Sequence, residues 1–87
     1  MKPNALVINV SDNVAVTLED IGKGGIVRLS DGRELAAADG IPFSHKIALC
    51  DLGHGEDILK YGEVIGQAKG EIKAGEWVHT HNLVVED

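Results

Sequence analysis

Chain-reversal signals recur along this sequence at intervals too short for packed helices. They fall at Ser11-Asp12-Asn13, Gly22 to Gly25, Asp31-Gly32, Asp39-Gly40, Gly53 to Gly55, Gly62, Gly70 and Gly75. The segments between them are short and apolar or alternating: 5–10, 14–18, 26–29, 45–52, 57–61 and 77–85. Strands of a few residues fit such gaps, whereas a helix needs about 11 or 12 residues to be typical. The pattern predicts an all-β domain of many short strands. Ser30-Asp31-Gly32-Arg33 reads as a hairpin, with Asp31-Gly32 as the positive-φ pair of a type I′ turn. Helical periodicity is weak, and its best candidate is a turn or two over 63–68, limited by Gly62 and Gly66.

A length of 87 residues allows one domain, spanning 1–87. So short a chain buries a modest share of its surface, which makes association plausible, with a partner or with a second copy. Trp77, Tyr61 and Phe43 are the three aromatics, so the core must be built from Val, Ile, Leu and Ala. Tyr61 and Cys50 are expected to help fill it, and His54 to sit in a flexible surface turn.

The formal charge of −6 combines 14 acidic with 8 basic residues, and the basic ones are scattered singly. Nucleic acid is excluded as a partner on that ground, because phosphate binding runs on clustered Lys and Arg. A single cysteine cannot build an intrachain disulfide framework, which suits a reducing cytoplasm. The run Ala5-Leu6-Val7-Ile8 is too short for a signal-peptide core, and no stretch has the length of a membrane span. A soluble, cytoplasmic protein is expected.

Asp20-Ile21-Gly22-Lys23-Gly24-Gly25-Ile26-Val27 aligns without gaps on Glu71-Ile72-Lys73-Ala74-Gly75-Glu76-Trp77-Val78. Each copy reads as an apolar anchor, a glycine reversal and a strand, which suggests two pseudo-symmetric pieces.

Two segments could carry chemistry. If 77–85 is a strand, His79 and His81 project from one face and Asn82 from the other. Imidazoles at i and i+2 can reach one metal ion, or one metal and one substrate oxygen. The plain alternative is two exposed or hydrogen-bonded histidines. In Pro42-Phe43-Ser44-His45-Lys46, a proline-led turn sets His45 and Lys46 at the mouth of the next strand. There His45 could carry a proton or ligate, and Lys46 could hold a carboxylate. Gly22-Lys23-Gly24-Gly25 lacks the spacing of a phosphate loop.

Taken in order, the segments are more specific than any one of them. Asp12-Asn13-Val14-Ala15-Val16, the Ile41-Pro42 to Leu49 stretch with His45-Lys46, Lys60-Tyr61-Gly62 and His79-Thr80-His81-Asn82 resemble the N-terminal SAF domain of the altronate and galactarate dehydratases. The resemblance runs from about Ala5 to Leu83. It implies a small β-clip fold, like that of antifreeze proteins, and the stand-alone small subunit of a lyase that dehydrates a sugar acid. It also implies a large catalytic partner subunit and an anionic sugar-acid substrate. A divalent metal, Fe2+ or else Mn2+, would be held jointly with that partner. His45, Lys46, His79 and His81 match the family's motifs and are expected to be catalytic. Of these, His79 and His81 are the expected metal ligands, and Lys46 and Asn82 the substrate contacts. The similar sulfolactate sulfo-lyases expel sulfite instead, and a non-catalytic stabilising module is a further alternative. Ser44 stands where the family usually has Gly, so the turn is undisturbed unless that residue needs φ > 0.

Overall fold

The computed structural model describes residues 2–85. Its strands are β1 (Ala5–Leu6), β2 (Val14–Thr17), β3 (Ile26–Arg28), β4 (Glu34–Ala36), β5 (Lys46–Ala48), β6 (Asp57–Lys60), β7 (Glu63–Ala68), β8 (Trp77–Val78) and β9 (Leu83–Val84). They form a four-stranded sheet in the order β1-β2-β5-β8, a β3-β4 hairpin and a three-stranded sheet β6-β7-β9. The all-β expectation holds, and no helix forms among the described residues. Residues 63–68, read above as a helical turn, are the longest strand. Its β-branched Val64 pairs with Leu59 of β6, Ile65 falls at a bulge in that ladder, and Gly66 admits the close passage of Val84 and Leu83.

Alternation along β2, β5 and β8 gives the four-stranded sheet two buried faces. Ala15 and Ile47 turn into one cluster with Ile21, Val27, Ala37 and Ile41, and Trp77 packs against it. Val14, Ala48 and Val78 turn into a second cluster with Leu52, Ile58, Ala68 and Ile72. The two clusters are built alike. Moving 31 positions along the chain takes 21 to 52, 27 to 58, 37 to 68, 41 to 72 and 47 to 78. The same step carries the Ile21–Ile41 bridge onto the Leu52–Ile72 bridge. It also carries the bond from Phe43 N–H to the Asp20 carboxylate onto that from Ala74 N–H to Asp51. The domain is two overlapping copies of one unit, β2–β5 and β5–β8, sharing β5.

One turn occurs four times in this frame. The N–H groups of Gly25, His45, Glu56 and Glu76 each donate to the carbonyl three residues back. The residues just before them, Gly24, Ser44, Gly55 and Gly75, all have positive φ. This is the geometry of a type II turn, which needs a left-handed residue at its third position. The echo between 20–27 and 71–78 therefore pairs two of the four turns, and Ser44 does occupy a position that requires φ > 0.

The β3-β4 hairpin forms, but not with a type I′ turn. Only Gly32 has positive φ, and Leu29 N–H donates to Arg33 C=O across a three-residue loop. That is the loop in which a type I turn is followed by one left-handed residue. Positive φ at both central residues is found instead at Tyr61 and Gly62, between β6 and β7. The buried Asp12 carboxylate holds this hairpin by accepting from Asn9, Tyr61 and Gly62 N–H. Tyr61 is consequently held out of the core, at 60% exposure, with Lys60 Nζ 5.0 Å from its ring centre. Cys50 is exposed as well, so neither residue fills the core as expected.

Candidate functional site

Strand 77–85 does not run through. It stops at Val78, turns over residues 79–82, and resumes at Leu83. Asn82 makes this turn: its Oδ1 accepts from His79 N–H, and its Nδ2 donates to Trp77 C=O. The backbone N–H groups of Asn82 and Leu83 both donate to His79 C=O. The strand alternation expected for His79 and His81 therefore does not apply. Asn82's amide is engaged with backbone at both its oxygen and its nitrogen, which gives it a folding role in the loop.

What gathers the histidines is Trp77. In the β5-β8 ladder Lys46 faces Val78 and Ile47 faces Trp77. Continuing that register sets His45 opposite His79, with their ring centres 4.9 Å apart. Trp77 lies diagonal to His45 and two residues before His79, on the same face. Its indole stacks on His79 at 5.2 Å and 6° between planes, and His81 lies tilted against it at 5.3 Å. Its Nε1–H donates to His45 Nδ1 at 3.1 Å. The backbone beneath is fixed by Asp39, whose carboxylate accepts from Trp77 N–H. Thr17, wholly buried, supports the His45 side: its hydroxyl donates to Pro42 C=O and accepts from His45 N–H.

His45, Trp77 and His79 are half-buried and His81 is exposed. Partial burial lowers the His79 pKa below its ordinary value, and the neighbouring charges of His45, Lys46 and His81 act in the same direction. A neutral imidazole with free lone-pair capacity is the form that can ligate or accept a proton. Lys46 belongs to the other side of the pleat, in the row with Val16 and Val78. Burial lowers its pKa first, and the nearby Lys60 second. Neither lysine forms an ion pair with a carboxylate among the described residues. Sequence motifs thus name residues on two adjoining faces of one strand end, with three imidazoles on one and a lysine pair on the other.

The shallow cavity lined by Val64, Ile65, Gly66, Gln67 and Val85 contains none of these groups. The donor set does not make a metal centre by itself: no group of three or more His, Cys, Asp or Glu among the described residues could hold an ion. His54 has a plain structural task, its Nδ1 accepting from Gly70 N–H at 2.7 Å. Cys50 is no candidate nucleophile, since burial and the carboxylates of Glu56 and Asp51 raise its thiol pKa. The residue that sequence reasoning passed over is Trp77. Its position two before His79, at strand spacing, was the available signal.

The family model for the altronate/galactarate dehydratase SAF domain matches residues 3–86. The chain belongs to this family. Among its SAF-domain relatives is the galactarate dehydratase (L-threo-forming) of Escherichia coli K12, 39% identical over 87 residues, 98% of this chain and 16% of that protein. The altronate dehydratase of the same organism is 40% identical over 75 residues, 86% of this chain and 15% of that protein. The (2R)-sulfolactate sulfo-lyase subunit alpha of Paracoccus pantotrophus is 49% identical over 53 residues, 61% of this chain and 78% of that subunit. The chain thus spans about a sixth of the dehydratases it matches, and most of the sulfo-lyase subunit. No helix among the described residues is long and apolar enough to cross a membrane.

Proposed function

We propose that this SAF domain is the small half of a lyase site that dehydrates a sugar acid such as altronate or galactarate, completed by a large catalytic subunit. The carrying observation is the cluster of His45, His79 and His81 around Trp77: three imidazoles gathered on an open surface. Membership of a family whose relatives include named dehydratases supports reading that cluster as part of a dehydration site.

Dehydration of a 2,3-dihydroxy acid removes the C2 proton and the C3 hydroxyl as water. The electron pair left at C2 forms an enediolate with the carboxylate, and expulsion of hydroxide leaves an enol that tautomerises to the 2-keto acid. Two demands follow. Charge developing on the carboxylate oxygens needs fixed positive partners, and the departing hydroxyl needs a donor. Lys46 is suited to the carboxylate, and His45 to the carboxylate or the leaving oxygen. His79, favoured as the neutral base, is suited to hold substrate or ion, with the exposed His81 beside it. A divalent ion, Fe2+ or Mn2+, would take at most these two imidazoles from this chain and the rest of its donors from the large subunit. It would supply Lewis-acid stabilisation of the enediolate.

A second reading rests on the match to a (2R)-sulfolactate sulfo-lyase subunit alpha, 49% identical over 78% of that subunit, which favours elimination of sulfite instead of water. Reconstitution with a large subunit decides between them and tests both. Neither chain alone should turn over substrate. The pair should release water from altronate or galactarate, or sulfite from sulfolactate. A large subunit that works at full rate unaided would reduce this domain to a stabilising module.

A further inference from the structure

We propose that Trp77 is a positioning residue that locks His45 as the neutral Nε2–H tautomer, making His45 a hydrogen-bond donor to an anionic substrate oxygen rather than a metal ligand. This rests on the shared-site reading for its catalytic meaning, but the tautomer itself does not.

An indole N–H has a proton to give and no lone pair to offer. The imidazole atom facing Trp77 Nε1 at 3.1 Å must therefore be an unprotonated ring nitrogen, and it is Nδ1. Rotating the ring by half a turn would put a C–H there and leave the indole donor without a partner. With Nδ1 accepting, the neutral ring carries its proton on Nε2. Both nitrogens are then committed: Nδ1 has no lone pair left for an ion, and Nε2 is a donor.

The surroundings hold this arrangement in place. His45 is anchored through its backbone N–H to Thr17 and Pro42, and its ring lies against Trp77 and His79 at 5.5 and 4.9 Å. Trp77 is itself packed on the first core cluster, and its backbone N–H donates to the Asp39 carboxylate. A donor pre-aimed by a rigid neighbour needs no reorganisation when charge develops on an oxygen in front of it, which is where such donors contribute most. A neutral imidazole can act there without passing its proton on. The three clustered imidazoles then divide their work: His45 donates, while His79 and His81 keep lone pairs for an ion or a proton.

The test is a long-range 1H–15N correlation spectrum of the full 87-residue chain at about pH 8, where ordinary imidazoles are neutral. His45 should show a protonated Nε2 and a bare Nδ1. Trp77→Phe keeps a ring in place but lacks the N–H, and should turn His45 into a mixture of tautomers. His54, whose Nδ1 accepts from Gly70, should keep its Nε2–H form and serves as an internal reference. Protonated Nδ1 in the wild type, or an unchanged His45 in Trp77→Phe, overturns the proposal. If Trp77→Phe does not fold, the wild-type spectrum and two His45 variants decide. In the reconstituted lyase, His45→Gln places an amide N–H where Nε2–H stood and should retain more rate than His45→Asn, with Asn losing about a hundredfold. The expected tautomer with a full-rate His45→Asn enzyme overturns the catalytic role and with it this domain's share in the site. The wrong tautomer with a disabled His45→Asn enzyme overturns the role of Trp77 and leaves the shared site standing.

Discussion

The two copies of the repeated unit have the same skeleton and different ends. Where the first copy has Ala48-Leu49-Cys50-Asp51, the second, 31 positions on (48 to 79), has His79-Thr80-His81-Asn82. Where the first turn into β5 reads Ser44-His45-Lys46, the matching turn into β8 reads Gly75-Glu76-Trp77. Bridges, turn hydrogen bonds and core positions repeat, whereas the imidazoles do not. His45 comes from one copy and Trp77 with His79 from the other, and the β5-β8 ladder brings them face to face. A duplicated scaffold fixes the frame, and the clustered imidazoles sit where the two copies depart from each other.

The comparison is broken most severely by making the copies alike where packing forbids it. A Cβ on Gly75 would collide with the Ala36 carbonyl oxygen, and its φ of 88 is already left-handed. Gly75→Ser, which copies Ser44 into the second unit, should destabilise the chain by about 3 kcal/mol, combining backbone clash with strain. Thermal or urea unfolding measures this; a loss below about 1 kcal/mol would show that the β4 end yields easily.

The two hairpins differ next. The first is closed by Gly32 with the exposed Asp31 carboxylate accepting from Arg33 within the loop, and the second keeps Tyr61 at φ 60 under the buried Asp12 carboxylate. Asp12→Asn replaces an acceptor oxygen with an NH2 and leaves at least one of three N–H groups unpaired. About 2 kcal/mol should be lost in denaturant unfolding, with faster amide exchange at Tyr61 and Gly62.

The smallest change runs the other way. Ser44 has φ 67 in a turn whose other three members are glycine, and Ser44→Gly should relieve that strain. Stability should rise by about 1 kcal/mol, less a few tenths for the freer unfolded chain. A decrease would mean that the serine side chain contributes something its backbone does not reveal.

Much of this architecture was legible in the sequence. The glycine rhythm specified short strands and reversals, because a residue at positive φ advertises its turn whatever surrounds it. It also exposed two of the four turn copies as equivalent. The 31-residue repeat was hidden, because it is conserved as burial rather than as letters: Ile21 corresponds to Leu52, and Ile47 to Val78. Residues 63–68 misled because Val-Ile-Gly-Gln-Ala suits a turn of helix as readily as a bulged strand, and only pairing with β6 decides.

At the site, the histidines stood out by residue type. Their geometry did not, because Asn82 bends the chain in a way that strand alternation cannot foresee. Trp77 was passed over as one of three aromatics available for packing. It does pack, and the same ring also organises the imidazoles, a double use that composition conceals.

The central claim is that this domain lends imidazoles to a lyase site it shares with a larger chain. Its most direct test is His79→Ala, which gives the second copy the alanine found at position 48 of the first. The turnover of the reconstituted lyase should fall about a hundredfold or more, with folding and association of the two chains unchanged. Full turnover by the His79→Ala complex would contradict the claim.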